Sequence, residues 1–481
     1  MKNSRFTLIR GLKIASILSK YLVFHKFNRH KRKPLGKRIK EACEELGPTF
    51  IKFGQILSVR YDLLPADDCK ELQKLLDDVK PMPYSTVRDI FLHDFGKEPE
   101  EIFTNFDKKP IASASIAQVY KARLKTGEEV AVKVRKPYIG EIIEKDMKII
   151  KFVSYVAQIF SPTLRHLQAH KIVDELTGWM MQEIDFEKEA KGIDALREYS
   201  ISFSKGKLGS IFSKVHHLKT YEDYNSKNIL TINFVEGIPL NKIHLIRNDS
   251  EYDILESLKN GIKSTVATFA LSKTHMVLHA DPHPANLIIQ KNGHITFIDC
   301  GLVTKIKKEH LAMMRKLLLA VYSQDIDETI KNALIMCNVS HKKYHKRIRK
   351  DIAAYLEHTK VSSLGYWFMG MVRIFIKHRI PVPYFLSSFG RGAIVFEGAI
   401  LSYDPAYNSA DILKDILKYA LHQEIIDNIK DIKYESLLYS MSTKLKESPD
   451  ILNSFISRYY EKPDQFLFDV NKIVRAFKGE I

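Results

Sequence analysis

The stretch that decides the fold is His279-Ala280-Asp281-Pro282-His283-Pro284-Ala285-Asn286, followed closely by Phe297-Ile298-Asp299-Cys300-Gly301. It places Asp281 five positions before Asn286, and it puts a second carboxylate, Asp299, at the end of an apolar run. Phosphoryl transfer needs one Asp to orient or deprotonate the attacking oxygen, and an Asn and another Asp to hold Mg²⁺ on the phosphates. The pattern therefore predicts a phosphoryl-transfer site at Asp281, Asn286 and Asp299, whose two carboxylates and one amide make a hard oxygen site suited to Mg²⁺.

The Asp-to-Asn spacing equals that of the kinase pattern H-R-D-L-x-x-x-N, which precedes D-F-G. The Arg and the Phe of those patterns are missing, so the match is a variant. Between Asn286 and Asp299 lies Asn292-Gly293, a strong hairpin signal. A hairpin here would return Asp299 to the neighbourhood of Asn286.

A zinc site is the rival interpretation of the same segment, because His279 and His283 are four residues apart. Pro282 and Pro284 make a regular helix there unfavourable. We therefore expect His279 to be a structural histidine packed under the loop, and His283 to be a polar loop residue.

Upstream, two strand-like runs at 116–122 and 129–134 are joined by a turn at 124–127, which predicts a hairpin. Its second strand ends in Val130-Ala131-Val132-Lys133. In kinases the V-A-I-K lysine binds the ATP phosphates and pairs with a helix glutamate. A single lysine on a strand is more often a solvated edge residue. Here the order of turn, hairpin, lysine, helix and Asp/Asn loop favours the phosphate-binding interpretation.

The position of a glycine-rich phosphate loop is taken by small residues, Ala112, Ser113, Ala114 and Ser115. Small side chains let backbone N–H groups approach an anion. Alanine lacks the access of glycine to positive φ, so this loop should be stiffer. A plain small-residue turn is the alternative.

Two further groups are candidates for the site. Glu183, Asp185 and Glu189 lie on one helical pattern, and any of them could pair with Lys133; a solvated acidic face is the commoner outcome. Lys52 and Gln55 are three apart and share a helix face. The intervening Gly54 costs a helix about 1 kcal/mol relative to Ala, which suggests close packing or approach to a ligand.

The net charge of +18 is unevenly placed, because residues 1–40 contain 13 Lys and Arg and no acid. The remaining chain is near +5, which argues against a nucleic-acid partner. Apolar residues recur at helical spacing between 12 and 24, and a cationic cluster follows. This pattern predicts a basic amphipathic arm at an anionic membrane surface. An ordinary first helix with a solvated basic loop is an equally weighted alternative, and a transit peptide is a third.

Four scattered cysteines indicate a reducing compartment. No apolar run reaches the roughly 20 residues of a bilayer span, so no transmembrane segment is predicted. The pattern divides the chain into four parts: a basic arm (1–33), a helical extension (34–105), a mixed lobe with inserted helices (106–237) and a helical lobe with the acidic loop (238–481). The predicted class is therefore α+β, two-lobed and helix-rich.

The chain resembles the UbiB family of atypical protein-kinase-like proteins, which is associated with ubiquinone (polyprenyl quinone) biosynthesis. The resemblance spans roughly residues 38–412. It rests on the following motifs: Lys52-Phe53-Gly54-Gln55 (K-x-G-Q), the Ala-rich segment 112–119, Val130-Ala131-Val132-Lys133, Glu183-Ile184-Asp185 (E-x-D), the loop 279–286, Asp299-Cys300-Gly301, Phe396-Glu397-Gly398 and Asp404-Pro405.

The family implies a kinase-like fold with an N-terminal extension whose K-x-G-Q helix covers the active site. It implies ATP and Mg²⁺ as cofactors, and ATPase activity more readily than protein phosphorylation. Carried over, Lys133 would hold phosphates and Glu189 would be its partner, Asn286 and Asp299 would bind Mg²⁺, and Asp281 would take the catalytic-loop role. The residues expected to line the occluded pocket are Lys52, Gln55, Glu183 and Asp185.

The chain departs from the family at Ser113, in the middle of the Ala-rich loop, and at Cys300, which replaces the usual Phe. Bacterial members often end in transmembrane helices, whereas this sequence ends in a polar segment, 469–481. Membrane contact is therefore expected from the arm or a lobe surface.

The function predicted is an ATP-binding atypical kinase or ATPase that supports polyprenyl quinone biosynthesis at a membrane surface. Expected partners are anionic membranes and either quinone-biosynthesis proteins or isoprenoid lipid intermediates. The expected location is the bacterial cytoplasm at the inner membrane, with the matrix side of an organelle as the alternative. A true protein or small-molecule kinase and a non-catalytic, nucleotide-regulated lipid-binding scaffold are the rival functions.

Overall fold

The N-terminal extension is a group of helices that precedes the first sheet of the computed structural model. The residues described are 2–23, 33–58, 60, 63–75, 81–162, 165, 168–204, 212–247, 249–272, 275–279, 284–301, 303–322, 325–358, 363–378, 380, 382–409, 411–412 and 416. The helices of the extension are α1 (Lys2–Leu18, continued by a π-helical turn, Ser19–Val23), α2 (Leu35–Leu46), α3 (Pro48–Ser58), α4 (Ala66–Leu72), α5 (Tyr84–Phe95) and α6 (Pro99–Ile102). The pair Gly47-Pro48 predicts a break between two helices with Pro48 at an early helical position, and Pro48 is the first residue of α3.

The N-lobe sheet follows the extension and carries the Val130-Ala131-Val132-Lys133 motif. Its strands are β1 (Asn105–Phe106), β2 (Ala112–Ser113), β3 (Ala117–Arg123), β4 (Glu129–Arg135) and β6 (Ile229–Asn233). They are antiparallel in the order β1-β3-β4-β6, and β2 also pairs with β3. The predicted hairpin is confirmed: Gly127 has a φ of 95° in the turn between β3 and β4, a conformation that glycine adopts without strain.

Three helices are inserted between β4 and the next strand. They are α7 (Ile139–Phe160), α8 (Ala169–Glu183) and α9 (Phe186–Ser204). The sequence predicts one helix over 170–196, and that prediction is wrong because the helix is interrupted at Ile184-Asp185. Asp185 accepts a hydrogen bond from the Lys188 N–H (3.2 Å) and so caps the start of α9. The Arg135 guanidinium donates to the Ile184 carbonyl (2.9 Å), which fixes the break against the sheet.

The C-lobe is mainly helical and contains two small sheets. One has the order β5-β10-β9-β7 and the other pairs β8 with β11. The strands are β5 (Val215–His217), β7 (Ile238–Pro239), β8 (His275–His279), β9 (Leu287–Ile289), β10 (Ile295–Phe297) and β11 (Val303–Lys307); the helices are α10 (Ile254–Leu271), α11 (Lys308–Tyr322), α12 (Ile326–Met336), α13 (His341–His358), α14 (Leu364–Lys377) and α15 (Tyr384–Leu401). The two-lobed α+β prediction is confirmed.

The first helix packs on the folded domain, which bears on the interpretation of the basic arm. Ile14 and Ile17 are buried with residues of α2 and α7 in the core of the N-lobe. Arg10 makes a two-pronged ion pair with the buried Asp146 of α7 (2.9 and 2.7 Å). One face of α1 is therefore structural, while the cationic cluster at 24–32 lies outside the described residues. Within the part of the chain that the structure describes, no helix is long and apolar enough to span a bilayer.

Gly54 allows α3 to lie close to its neighbours in the extension. A Cβ at this position would lie 3.1 Å from Cys43 Sγ and would overlap Leu75 Cδ1. Close packing, rather than approach to a ligand, therefore accounts for the glycine. Overpacking of this kind costs about 1–3 kcal/mol.

We expect Gly54→Ala to lower the free energy of unfolding by about 1–3 kcal/mol in urea titrations followed by circular dichroism. Gly178→Ala is the matched control, because Gly178 also lies inside a helix and nothing lies within 4 Å of its added Cβ. The control should be neutral or stabilising by up to about 1 kcal/mol, through helix propensity. Equal effects at the two positions would contradict the packing role of Gly54.

Candidate active site

Lys133 lies at the centre of the candidate site and is held by a buried glutamate. The strand register aligns Ala112, Val119 and Lys133 with Leu230 across four strands. From β4, Lys133 Nζ contacts both carboxylate oxygens of Glu189 at 2.9 Å. The helical pattern left three carboxylates open, and Glu189, the partner that the family resemblance implies, is the one that pairs with Lys133.

The Lys133–Glu189 pair is shielded from water. Glu189 is buried in the first turn of α9, and Lys133 Nζ also lies 5.2 Å from the centre of the Phe186 ring. Burial raises the pKa of Glu189 to about 7, although the Lys133 ammonium opposes this shift. Burial disfavours the charge of Lys133, but Asp299 and Glu189 outweigh it and raise the Lys133 pKa.

Asp299 joins this pair from the C-lobe. Its Oδ2 lies 3.9 Å from Lys133 Nζ, and its Oδ1 accepts a hydrogen bond from the Gly301 N–H (3.0 Å). Burial disfavours the Asp299 carboxylate, yet Lys133 and Lys52 prevail and lower its pKa to about 2. Folding lowers the pKa of this carboxylate, so its charge stabilises the folded protein at any pH above the pKa of Asp in the unfolded chain. This stabilisation is lost as the pH falls towards 2. Asp299 is therefore ionised at neutral pH.

A β-hairpin links Asn286 to Asp299. Asn286 ends a 3₁₀ turn (Pro284–Asn286), and β9 and β10 pair directly after it, with Leu287 opposite Phe297. The Asn286 carbonyl accepts a hydrogen bond from the Ile298 N–H (2.9 Å). The hairpin thus returns the chain to Asn286, as the Asn-Gly signal predicts. An amide oxygen and an ionised carboxylate on neighbouring segments are hard oxygen donors, which fit Mg²⁺.

The extension reaches this site through Lys52. In α3 the Lys52 ammonium forms an ion pair with Glu183, the buried last residue of α8, and its charge also acts on Asp299. A second contact holds the same surfaces together, because Arg60 pairs with Glu175 of α8 (3.1 Å) and lies 5.0 Å from the Trp179 ring. The extension is therefore anchored on α8 at two places: by Lys52 of α3, whose charge acts on Asp299, and by Arg60, which follows α3.

The Ala/Ser turn is a tight connection between β2 and β3. Ala112 and Ser113 pair with Val119 and Gln118, and the Ala114 N–H donates to the Ala117 carbonyl (2.8 Å). Ser115 is buried. Ala112, at the start of this segment, is aligned with Lys133 across the sheet through Val119. The Ala114 N–H, however, already donates a hydrogen bond inside the turn.

Two predicted site residues, Gln55 and Asp185, make contacts away from the Lys133–Glu189–Asp299 cluster, and a third, Asp281, lies outside the described residues. Gln55 donates to the Leu75 carbonyl (3.3 Å) within the extension. Asp185 caps α9 and pairs with Lys188 (3.0 Å). Asp281 and His283 lie outside the described residues, so Asp281 stays a prediction.

Sequence reasoning missed one residue that positions the Asp299 segment. Gly192 lies inside α9, and a Cβ there would meet the Cys300 carbonyl oxygen at 3.0 Å and Val303 Cγ2 at 3.1 Å. A glycine in a helix interior was the available signal. His279 was interpreted correctly as structural: it is buried, and its Nε2 forms a hydrogen bond with the Asp299 carbonyl. The backbone at Asp299 and directly after it is thus contacted from both lobes.

Comparison with known proteins identifies the family. Residues 74–333, more than half of the chain, match the model of the ABC1 atypical kinase-like domain. The chain belongs to the ABC1 (UbiB) atypical kinase-like family. The matched region contains both Lys133 and Asp299. The family assignment therefore agrees with the geometry of the site.

Three relatives show how similar this ABC1-family chain is to known proteins. An "Uncharacterized protein in hydrogenase 1 5'region" of Clostridium pasteurianum is 30% identical over 445 residues, which are 91% of this chain and 79% of that protein. "Probable protein kinase UbiB" of Pseudomonas paraeruginosa is 31% identical over 294 residues, 60% of this chain and 53% of UbiB. The chloroplastic "Protein ACTIVITY OF BC1 COMPLEX KINASE 8" of Arabidopsis thaliana is 32% identical over 304 residues, 62% of this chain and 38% of that protein.

Proposed function

We propose that this atypical kinase binds Mg-ATP between its lobes and cleaves the γ-phosphate, mainly as an ATPase, in support of polyprenyl quinone biosynthesis at a membrane surface. The observation that carries the nucleotide part is the convergence of Lys133, Glu189 and Asp299, three residues from β4, α9 and the segment after β10. Such a buried cationic–acidic centre with a lysine held on a sheet suits phosphate and metal binding.

Each residue of the cluster has a distinct part in the proposed reaction. Glu189 fixes the Lys133 ammonium, whose donors are then directed towards phosphate oxygens. Asn286 and Asp299 would hold Mg²⁺, which neutralises negative charge on the phosphates when it is bound. The Gly301 N–H orients the Asp299 carboxylate, His279 bonds the Asp299 carbonyl, and Gly192 lets α9 lie close to Cys300. Asp281 is proposed to orient the attacking oxygen.

Hydrolysis is favoured over transfer to a protein by the position of the extension. Helix α3 is anchored on α8 by Lys52, whose charge acts on Asp299, and the chain just beyond α3 is anchored on α8 by Arg60. A peptide substrate would have to displace this helix, whereas a water molecule would not. Closure of this kind excludes bulk solvent and strengthens the electrostatic interactions within the site.

The quinone part of the proposal is supported by the resemblance to the UbiB family. One paired assay on the purified full chain tests both parts: ATP hydrolysis and phosphate transfer to a general protein substrate, each with and without vesicles that contain polyprenyl quinone precursors. We expect Mg²⁺-dependent hydrolysis that the precursors stimulate, and little transfer. No thermal shift with Mg-ATP or Mg-ADP would overturn the nucleotide part. Transfer to protein in excess of hydrolysis would favour a true protein kinase, and hydrolysis indifferent to the precursors would overturn the quinone part.

A further inference from the structure

The second half of α7 has an apolar face that the fold leaves in solvent. Five large side chains recur at i, i+3, i+4, i+7 and i+8, which is one stripe of a helix. Their exposed fractions are 69% for Phe152, 49% for Tyr155, 38% for Val156, 65% for Ile159 and 81% for Phe160. Scattered single apolar residues on a surface are ordinary, but a continuous stripe with three aromatic rings marks an interaction site.

Helix α1 packs against the first half of α7 and also has exposed apolar residues. It crosses α7 where Arg10 pairs with Asp146. At this crossing a Cβ added to Gly11 would lie 3.9 Å from Ile149 Cγ2. Its inner residues are buried, whereas Ile9 and Leu12 are 59% and 64% exposed. Both helices thus use one face for the core and present a second apolar face outward.

The charges along the stripe and on α1 are mainly basic. From Lys148 to Ile172 the sequence contains Lys148, Lys151, Arg165 and Lys171 but no Asp or Glu, and residues 2–23 contain no acid either. Lys148 is exposed and pairs with Glu144 one turn earlier in α7 (3.7 Å), and Lys151 pairs with Asp174 of α8 (2.7 Å), so both are partly neutralised. Two copies of this face would bring like charges together, which disfavours self-association. An anionic surface is the complementary partner.

We propose that the α7 stripe, defined as Phe152, Tyr155, Val156, Ile159 and Phe160, inserts into the interface of an anionic lipid bilayer, with Ile9 and Leu12 of α1 beside it. Aromatic side chains favour the level of the lipid headgroups, and flanking lysines bind anionic lipid. This inference deepens the membrane part of the proposed function and rests on it. It moves the contact from the basic arm alone to a surface of the folded N-lobe.

The test measures partition of the full chain onto vesicles of phosphatidylcholine with phosphatidylglycerol, and onto pure phosphatidylcholine. Phe152→Ser with Phe160→Ser should weaken partition onto the anionic vesicles by about tenfold or more, because two large apolar side chains no longer insert. Leu245→Ser with Ile335→Ser is the matched control, since both residues are exposed on the C-lobe, and it should bind as the parent does. Because Ile14 and Ile17 are core residues, α1 is tested by Ile9→Ser with Leu12→Ser and not by deletion.

A Phe160→Trp reporter distinguishes insertion from other occupants. Its emission should shift to shorter wavelength on anionic vesicles and be quenched by brominated acyl chains. Unchanged partition of the Phe152→Ser, Phe160→Ser variant, or a reporter that is not quenched, would overturn the proposal. Two other outcomes would name a different occupant. If the reporter is already blue-shifted without vesicles and becomes exposed when residues 417–481 are removed, that segment covers the stripe. If the parent self-associates and the serine variant does not, a second copy covers it.

The same samples separate this inference from the catalytic proposal. The thermal shift with Mg-ATP, measured without vesicles, should be equal in the parent and the stripe variant. Nucleotide binding without any vesicle binding would overturn only the proposal that the α7 stripe binds membranes. Vesicle binding without nucleotide binding would overturn the catalytic proposal and leave the surface standing.

Discussion

Asp299→Asn is expected to weaken Mg²⁺-dependent binding of ATP by about 100-fold or more, since residues that merely support a metal ligand already contribute 10–100-fold. The substitution keeps the size of the side chain but removes the charge. In the parent, Lys133 and Lys52 keep the pKa of Asp299 near 2, so the full negative charge is present at neutral pH. The neutral amide would leave a weaker ligand facing the metal.

The measurement is a titration of ATP by calorimetry at several Mg²⁺ concentrations, with hydrolysis followed in parallel. Asp351→Asn is the matched control, because Asp351 pairs with Lys377 and His378 on the C-lobe, away from the candidate site. It should bind ATP as the parent does. If Asp299→Asn retained Mg²⁺-dependent affinity, the metal assignment of Asp299 would be wrong.

Lys133→Met is expected to lower the free energy of unfolding by about 3–5 kcal/mol, because it leaves a buried carboxylate without its cation. Glu189 is 1% exposed, and both of its oxygens contact Lys133 Nζ in the parent. Protonation of Glu189 would relieve part of this loss, so the variant should be relatively more stable at acidic pH. Binding of Mg-ATP should also be lost, since no cation remains on β4 at this position.

A double variant separates the structural role of the pair from its functional role. Lys133→Met with Glu189→Leu replaces the buried ion pair by apolar side chains of similar size, a change that is often neutral or stabilising by about 1–4 kcal/mol. We expect urea denaturation to show recovered stability, while calorimetry still shows no binding of Mg-ATP. Recovery of nucleotide binding in the double variant would contradict a phosphate-binding role for Lys133.

Much of the site was accessible from local patterns. The Val130-Ala131-Val132-Lys133 strand and its hairpin depend on alternation and on a glycine turn, which neighbouring residues specify. The Asn292-Gly293 turn likewise predicts that Asp299 returns to Asn286, and the strand pairing has this form. Pro48 and Gly47 marked a helix boundary for the same reason: their backbone preferences act within a few residues.

The partner of Lys133 was not accessible in this way. Glu183, Asp185 and Glu189 fit one helical period, and the sequence offers no reason to break it. The break at Ile184-Asp185 comes from contacts with Arg135 of the sheet and from the cap on α9. As a result Glu183 pairs with Lys52, Asp185 caps a helix, and Glu189 pairs with Lys133.

The sequence by itself determined the chemistry of this protein: a strand lysine, an Asn/Asp pair joined by a hairpin, and a basic, apolar N-terminal helix. Only the tertiary structure decided which charges meet. It also decided that β5, which precedes β6 in the chain, joins the C-lobe sheet by pairing with β10, while β6 closes the N-lobe sheet. The physical reason is that turn and strand preferences act over a few residues, whereas pairing across 56 positions, as between Lys133 and Glu189, depends on how whole elements pack.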